Sequence, residues 1–312
     1  MKICMIGLGS IGKRHLGNLK VALEKRKVPY QIEALRSSKR KLEGKWDQII
    51  DKQYYSIDKL PNDYDVIYIT NPTFLHYETI KKTVSKTRHI FIEKPVFESV
   101  LYNISELNLK QDSIYYVACP LRHKRIMAHI KQLLTECDQV ISARVISSSY
   151  LPAWRKNTDY RNVYSAMECM GGGVTRDLIH EWDYVIYLFG SPSKVINMKG
   201  NKSELEIDSD DISIYMAEYP DMFLEMHLDY FGHKNERNLQ LFTTKRRIDI
   251  DLITDTISEY KDNQLVDRKQ FPVEDFYMNE TEYFLDCIEG RQNNINTIEN
   301  ACHTLKIALT EV

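Results

Sequence analysis

The chain lacks any apolar run long enough for a membrane span. Met1 leads within one residue into a strand-like segment rather than into the leader of an exported protein. Both absences predict a cytoplasmic protein. Paired cysteines are missing too: Cys4, Cys119, Cys137, Cys169, Cys287 and Cys302 are scattered, with no C-x-x-C among them. That argues against a disulfide framework or a zinc site and for free, mostly buried thiols. Charge of one sign is also lacking, the formal net charge being −2, which excludes a general attraction to nucleic acid or anionic membrane. There is no repeat period and no low-complexity tract. What remains is the composition of an ordinary globular protein, 43% hydrophobic and 28% charged, in 312 residues that suffice for two packed domains.

The most informative stretch is the first fourteen residues. A short apolar run, Lys2 to Ile6, breaks into Gly7-Leu8-Gly9-Ser10-Ile11-Gly12-Lys13-Arg14, which reads as strand, tight turn and helix start. Gly7 lets the chain turn, Gly9 lets the backbone approach a pyrophosphate, and Gly12 lets the helix pack on the strand. Gly7, Gly9, Ser10, Ile11 and Gly12 then form a dinucleotide cradle facing the helix N-terminus. The helical pattern runs to about Lys27, and a second strand, Tyr30 to Arg36, follows. An Asp or Glu at its end would bond the 2′-hydroxyl of NAD. This chain has Arg36-Ser37-Ser38 there, a guanidinium beside two hydroxyls that suits a 2′-phosphate. The expected cofactor is NADP, with NAD as the other nicotinamide form.

Lys39 to Lys45 is basic and irregular, with a short helix to Asp51. Asp65 to Thr70 is a near-continuous apolar run, as expected of a parallel strand buried on both faces. Ligands of open α/β sheets bind beyond the carboxyl ends of the strands, so Thr70, Asn71, Pro72, Thr73 and His76 should line the nicotinamide side. A helix is expected over Phe74 to Lys86. His89 to Ile92 is the next buried strand, ending in Glu93-Lys94-Pro95, and the same rule puts Glu93 and Lys94 at the crevice, Lys94 as a candidate acid/base group. A helix over Val100 to Lys110 and a strand over Ile114 to Cys119 complete about six strands.

After Pro120 the pattern changes. A helix, Arg125 to Glu136, precedes strands at Gln139 to Tyr150, Lys194 to Met198, Ile212 to Glu218, Phe223 to Tyr230, Asn238 to Thr243, Arg247 to Leu252, Thr256 to Tyr260 and Gln264 to Gln270. Strands in succession argue for an antiparallel sheet, closed by helices at Val273 to Glu289 and Thr297 to Thr310. One helix, Val174 to Phe189, interrupts them after Gly171-Gly172-Gly173. Asp177, His180 and Glu181 lie three and four apart on it, sharing one turn. His180-Glu181-Trp182-Asp183 lacks the second histidine of a zinc helix, so no metal is expected. Arg122 and His123 touch substrate or only the domain interface. His227, Asp229 and Tyr230 face the cleft or another subunit. The fold class is α/β: an N-terminal doubly wound Rossmann sheet over residues 1–120, and a C-terminal α+β domain over 121–312 built on a mainly antiparallel sheet. A sheet with a free face predicts a homodimer or homotetramer.

Gly7-x-Gly9-x-x-Gly12, Asn71-Pro72 with His76, Glu93-Lys94-Pro95, and Gly171-Gly172-Gly173 followed by Asp177 and His180 together resemble the Gfo/Idh/MocA oxidoreductase family over nearly the whole chain. The resemblance implies that Lys94 is a catalytic acid/base and that Asp177 and His180 belong to the same machinery. Family members often separate those two by three residues, and this chain by two, which leaves the proton's owner open. A sugar hydroxyl would lose its proton to Lys94 or His180 as hydride passes to the nicotinamide, Asp177 tuning the imidazole. The segment with Trp154, Arg155, Tyr160 and Arg161 resembles the substrate loop of members from bacterial surface-sugar biosynthesis. Aromatic faces stack on sugars, and Arg155 and Arg161 offer cations to a phosphate or carboxylate. The implied substrate is a sugar or nucleotide-sugar. Two alternatives stay open: a non-catalytic nicotinamide-binding sensor, and a reductase of dihydrodiols or tetrapyrrole-like molecules.

Overall fold

The computed structural model describes residues 1–42 and 44–310. The chain divides into two compact units, Met1–Pro120 with Asp275–Leu305, and Leu121–Glu274 with the segment from Lys306.

In the first unit six parallel strands, β1 (Lys2–Ile6), β2 (Gln31–Leu35), β3 (Lys52–Tyr54), β4 (Tyr64–Ile69), β5 (Thr87–Ile92) and β6 (Tyr115–Val117), lie in the order β3-β2-β1-β4-β5-β6. The order reverses between β1 and β4, the point at which such sheets open a crevice for a ligand. Helix α1 (Ser10–Lys25) buries Leu16, Leu19 and Leu23 at helical spacing. A short α2 (Lys45–Ile49) precedes β3, and α3 (His76–Thr83) precedes β5.

Helix α7 (Phe276–Ile288) is capped by the Asp275 carboxylate, which accepts the N–H groups of Tyr277 and Met278 at 3.1 and 3.2 Å. Its Phe284 and Leu285 join the core of Leu16, Leu19 and Leu23. The segment Asp275–Leu305 therefore belongs with the first unit, a correction to the expectation of one uninterrupted second domain over 121–312. Edge strand β6 is closed by Asn296: Val117 N–H donates to its carbonyl and its side-chain amide donates to the Val117 carbonyl, both at 2.9 Å.

In the second unit, α4 (Arg125–Glu136) leads into β7 (Val140–Tyr150). After α5 (Val174–Asp177) and α6 (His180–Phe189) come β8 (Lys194–Gly200), β9 (Ile212–Glu218), β10 (Phe223–Asp229), β11 (Phe231–Thr243), β12 (Arg247–Asp251), β13 (Thr256–Lys261) and β14 (Gln264–Gln270). The last helix of the chain is α8 (Ile298–Ala308). The eight strands lie in the order β14-β13-β12-β11-β7-β10-β9-β8, antiparallel except where β7 meets β10. One face packs on the helices, Trp182 of α6 meeting Tyr215 of β9 edge-on with ring centres 5.2 Å apart. The other face leaves Ile196, Met198, Ile214, Met216 and Phe223 exposed.

Three expected elements differ. The helix over Val100 to Lys110 is only a 3-10 turn, Ile104–Leu107, started by the Asn103 side chain and stopped by Asn108 in the left-handed region at φ 52°. Apolar spacing misled there, because Leu101 is exposed. The helix over Phe74 to Lys86 is α3 with a 3-10 turn at each end. The helix over Val174 to Phe189 is broken at Leu178, whose ψ of 23° ends α5 before α6 starts.

Candidate active site

At the reversal point the first strand ends in a loop that needs its glycines for different reasons. Gly7 has φ +92°, and a Cβ there would sit 2.7 Å from the Asn71 nitrogen and the Thr70 carbonyl oxygen. A Cβ on Gly12 would meet the Gly7 carbonyl oxygen at 2.4 Å and Thr70 Oγ1 at 2.6 Å. The Thr70 hydroxyl itself donates to the Gly7 carbonyl at 2.7 Å, tying the end of β4 to the turn. Gly9 is different. Its φ is −69°, which any residue adopts, and a Cβ there would meet nothing within 4 Å. Neither backbone nor packing calls for glycine at that point, so a close-approaching ligand is what would. No side chain caps α1 and its first turn holds no acid, which leaves the amides of Ser10, Ile11 and Gly12 to an anion. These features fit a dinucleotide pyrophosphate.

At the end of β2, Arg36 is half-buried. Its guanidinium donates to Gln53 Oε1 at 2.7 Å and to the Arg40 carbonyl at 2.6 Å, which steadies it, while Ser37 and Ser38 are exposed beside it. The nearest acid on that strand, Glu33, is buried and accepts the Tyr64 hydroxyl at 2.5 Å. It is thus engaged in the core rather than offered to a ribose.

At the end of β5, Glu93 is buried and Lys94 half-buried. Glu93 Oε1 lies 2.5 Å from His15 Nε2 of α1, and Glu93 Oε2 accepts the Lys94 N–H at 3.0 Å. His76, expected at the cofactor, is buried as a splint between loops. Its Nδ1 faces the carbonyls of Pro95 and Val96 at 3.1 Å, and its Nε2 faces that of Asn71 at 2.9 Å. Burial pushes its pKa down. Asn71 donates to Thr79 Oγ1 at 2.9 Å.

In the second unit the glycine triplet is tightly packed. A Cβ on Gly172 would lie 2.2 Å from the Tyr164 carbonyl oxygen, and Gly173 has φ +112°. This packing seats α5, whose last residue, Asp177, is buried and accepts the Tyr230 hydroxyl at 2.6 Å. Burial and the Asp177 charge hold the Tyr230 and Tyr164 hydroxyls well above their usual pKa. His180, half-buried, opens α6 beyond the break, so it does not share a continuous turn with Asp177. Trp154 meets Tyr230 edge-on at 5.2 Å, and the Arg155 guanidinium lies 5.7 Å from the Tyr164 ring centre. Asp177, Tyr164, Tyr230, Trp154 and Arg155 thus form one cluster.

The other cations named from sequence are already paired. Arg161 binds Asp159 and Glu206 at 2.9 and 2.7 Å. Tyr160 accepts the Glu206 N–H at 3.2 Å. Arg122 is bidentate to Asp183 at 2.9 and 2.8 Å, and Glu181, fully buried, holds Arg237 at 2.9 Å. Burial, with Arg122 beside it, pushes His123 down to about 4. Arg155 alone of the three arginines has no carboxylate partner among the described residues. Tyr230 turns to Asp177, whereas His227 and Asp229, 3.0 Å apart, line a groove on the opposite, outer face of the sheet.

Sequence reasoning missed His15, and it did not tie Tyr164 or Tyr230 to Asp177. The one available signal for His15 was a polar residue on the inward face of α1, three positions after Gly12.

Residues 1–108 match the GFO_IDH_MocA family, described as an oxidoreductase family with an NAD-binding Rossmann fold. The chain is 27% identical over 203 residues to the uncharacterized oxidoreductase YrbE of Bacillus subtilis (strain 168), covering 63% of this chain and 56% of that protein. The matched stretch thus spans little more than half of that relative's length. Its fold is similar to levoglucosan dehydrogenase, solved with NADH and levoglucosan, with a TM-score of 0.84 at 16% identity over 99% of this chain and 95% of that one. Biliverdin reductase of Synechocystis sp. PCC 6803, solved with biliverdin and NADP+, is similar with a TM-score of 0.79 at 14% identity over 98% and 96% of the two chains.

Proposed function

We propose that this chain, an oxidoreductase of the Gfo/Idh/MocA family with an NAD(P)-binding Rossmann fold, moves hydride between nicotinamide and a hydroxyl or carbonyl carbon of a sugar or nucleotide-sugar, in the cytoplasm. The observation that carries this reading is Gly9, a glycine that only a close-lying ligand requires, at the sheet's reversal point beside uncapped helix amides. A bound nicotinamide supplies or accepts the hydride. The chain's own groups handle the proton: in oxidation the substrate O–H loses H⁺ to a base as its C–H bond breaks, and reduction reverses both. Lys94 is that acid/base in the first unit. Asp177, which accepts the Tyr230 hydroxyl, and His180 are the candidate groups of the second. Trp154 stacks on the substrate, and Arg155 meets an anionic group on it, whereas Arg161 and Arg122 are committed to carboxylates. Tyr160 shapes the same loop.

The test is a panel of UDP-N-acetylglucosamine, myo-inositol, levoglucosan and biliverdin with both nicotinamide cofactors, read at 340 nm. Turnover of a sugar supports the reading, and turnover of biliverdin alone replaces it with that of a tetrapyrrole reductase.

NADP is the preferred cofactor in this reading, because Arg36, Ser37 and Ser38 stand where a 2′-phosphate would lie. Arg36→Ala is expected to weaken NADPH binding about tenfold or more and to leave NADH within about twofold. Equal losses for both cofactors would remove Arg36 from that role.

The exposed row of Ile196, Met198, Ile214, Met216 and Phe223 is the surface on which a second copy would pack. Light scattering should find the parent protein dimeric or tetrameric and Met216→Glu shifted toward monomer. A monomeric parent would contradict this.

A further inference from the structure

We propose that His15 is a positioning residue for Lys94, acting through Glu93, and that this buried pair couples the phosphate-binding helix to the proton-handling end of β5. The inference rests on the reading of Lys94 as the acid/base group.

His15 sits one turn beyond the glycine loop, on the helix whose uncapped N-terminal amides are assigned above to a pyrophosphate. It is completely buried, with the rings of Phe91, Tyr277 and Tyr68 centred 4.8, 5.9 and 6.2 Å away. Its Nε2 meets Glu93 Oε1 at 2.5 Å, and its Nδ1 has no hydrogen-bond partner among the described residues. The ring's polar chemistry is therefore directed wholly at one carboxylate. The other oxygen of that carboxylate holds the Lys94 N–H at 3.0 Å. An unbroken path thus runs from α1 through imidazole and carboxylate to the backbone of Lys94.

The charges agree with the geometry. Burial pushes the Glu93 carboxyl up, but the His15 hydrogen bond and charge, with the Lys94 charge and N–H, outweigh it and hold the group below its usual range. Interaction between charges is mutual, so an ionised Glu93 favours the ammonium form of Lys94. Without its donor the buried carboxylate takes up a proton, and that influence is lost. A histidine that only filled the core would be replaceable by leucine with no effect on Lys94.

The test needs no substrate. The full-length protein is acetylated with acetic anhydride, and labelling of Lys94 is read by mass spectrometry against Lys59, an exposed lysine. Only the unprotonated amine reacts. The ratio of the rate at about pH 8 to that at about pH 11 therefore reports protonation and cancels access. Glu93→Gln and His15→Leu should each raise that ratio about threefold or more. His15→Gln, whose amide replaces the Nε2 donor, should stay within about 1.5-fold of the parent. A ratio unchanged in folded His15→Leu or in Glu93→Gln overturns the proposal. If His15→Leu does not fold, His15→Asn is read in its place, since its shorter amide cannot reach Glu93. Failure of the catalytic reading itself shows elsewhere, as normal turnover in Lys94→Ala, which leaves the labelling results for the other variants intact.

Discussion

Lys94→Ala should lower turnover about a thousandfold while leaving the dissociation constant for the nicotinamide cofactor within about threefold. Proton transfer by a positioned group typically contributes a hundredfold to ten-thousandfold, which sets that size. The asymmetry follows from location. Lys94 follows β5, whereas the proposed pyrophosphate cradle is built from the end of β1, the start of α1 and Thr70, just after β4. Removing the amine leaves the Lys94 N–H on Glu93 and so leaves the local backbone bonded as before. Steady-state kinetics on whichever panel substrate is turned over, beside a cofactor titration, separates the two effects. A variant that keeps parental turnover would take the acid/base role away from Lys94. One that loses cofactor binding and turnover together would make Lys94 a cofactor ligand.

Two alanine substitutions three residues apart should part company. Gly9→Ala is expected to melt within about two degrees of the parent and to bind NADPH about tenfold or more weakly. Its φ of −69° accepts alanine and its Cβ has open space, so the methyl is felt only by the ligand. Gly12→Ala should destabilise the protein itself by about 1–3 kcal/mol. Its Cβ would lie 2.4 Å from a backbone carbonyl that cannot retreat without moving the turn. Thermal melts with and without NADPH show both effects in one experiment. Normal NADPH binding by Gly9→Ala would mean that no pyrophosphate approaches that loop.

Much of this architecture could be read in advance, and the reasons differ between the units. The strands of the parallel sheet that carry the site are apolar runs ending at punctuating residues, Gly7, Asn71-Pro72 and Glu93-Lys94-Pro95. Buried parallel strands can hardly be written otherwise. In the second unit β14 is exposed along its whole length, yet it was legible because the turn before it, Lys261-Asp262-Asn263, is made for a hairpin: Asp262 and Asn263 have φ of 50° and 62°. The family resemblance then added roles that no periodicity contains.

What was missed has tertiary causes. Strand β3 is three residues, Lys52–Tyr54, too short for alternation to register. The break at Leu178 keeps the apolar spacing of α5 and α6 continuous, so a single helix is the natural reading. The return of Asp275–Leu305 to the first unit is decided by which core Phe284 and Leu285 enter, a choice that amphipathicity does not encode. Arg122 read as a free cation because its carboxylate, Asp183, lies 61 residues away in the chain, and of the two carboxylates that hold Arg161 only Asp159 is near in sequence, Glu206 lying 45 residues away. His15 and Glu93 are separated by 78 residues, and neither alone signals the other.

The central claim is that the glycine turn between β1 and α1 holds a nicotinamide dinucleotide. The most direct measurement is a titration of the purified protein with NADPH and with NADH, followed by nicotinamide fluorescence. Saturable binding of both, NADPH the tighter, is the expected result. Equal affinities would remove the preference assigned to Arg36 while keeping the site, and no binding of either would contradict the account at its base.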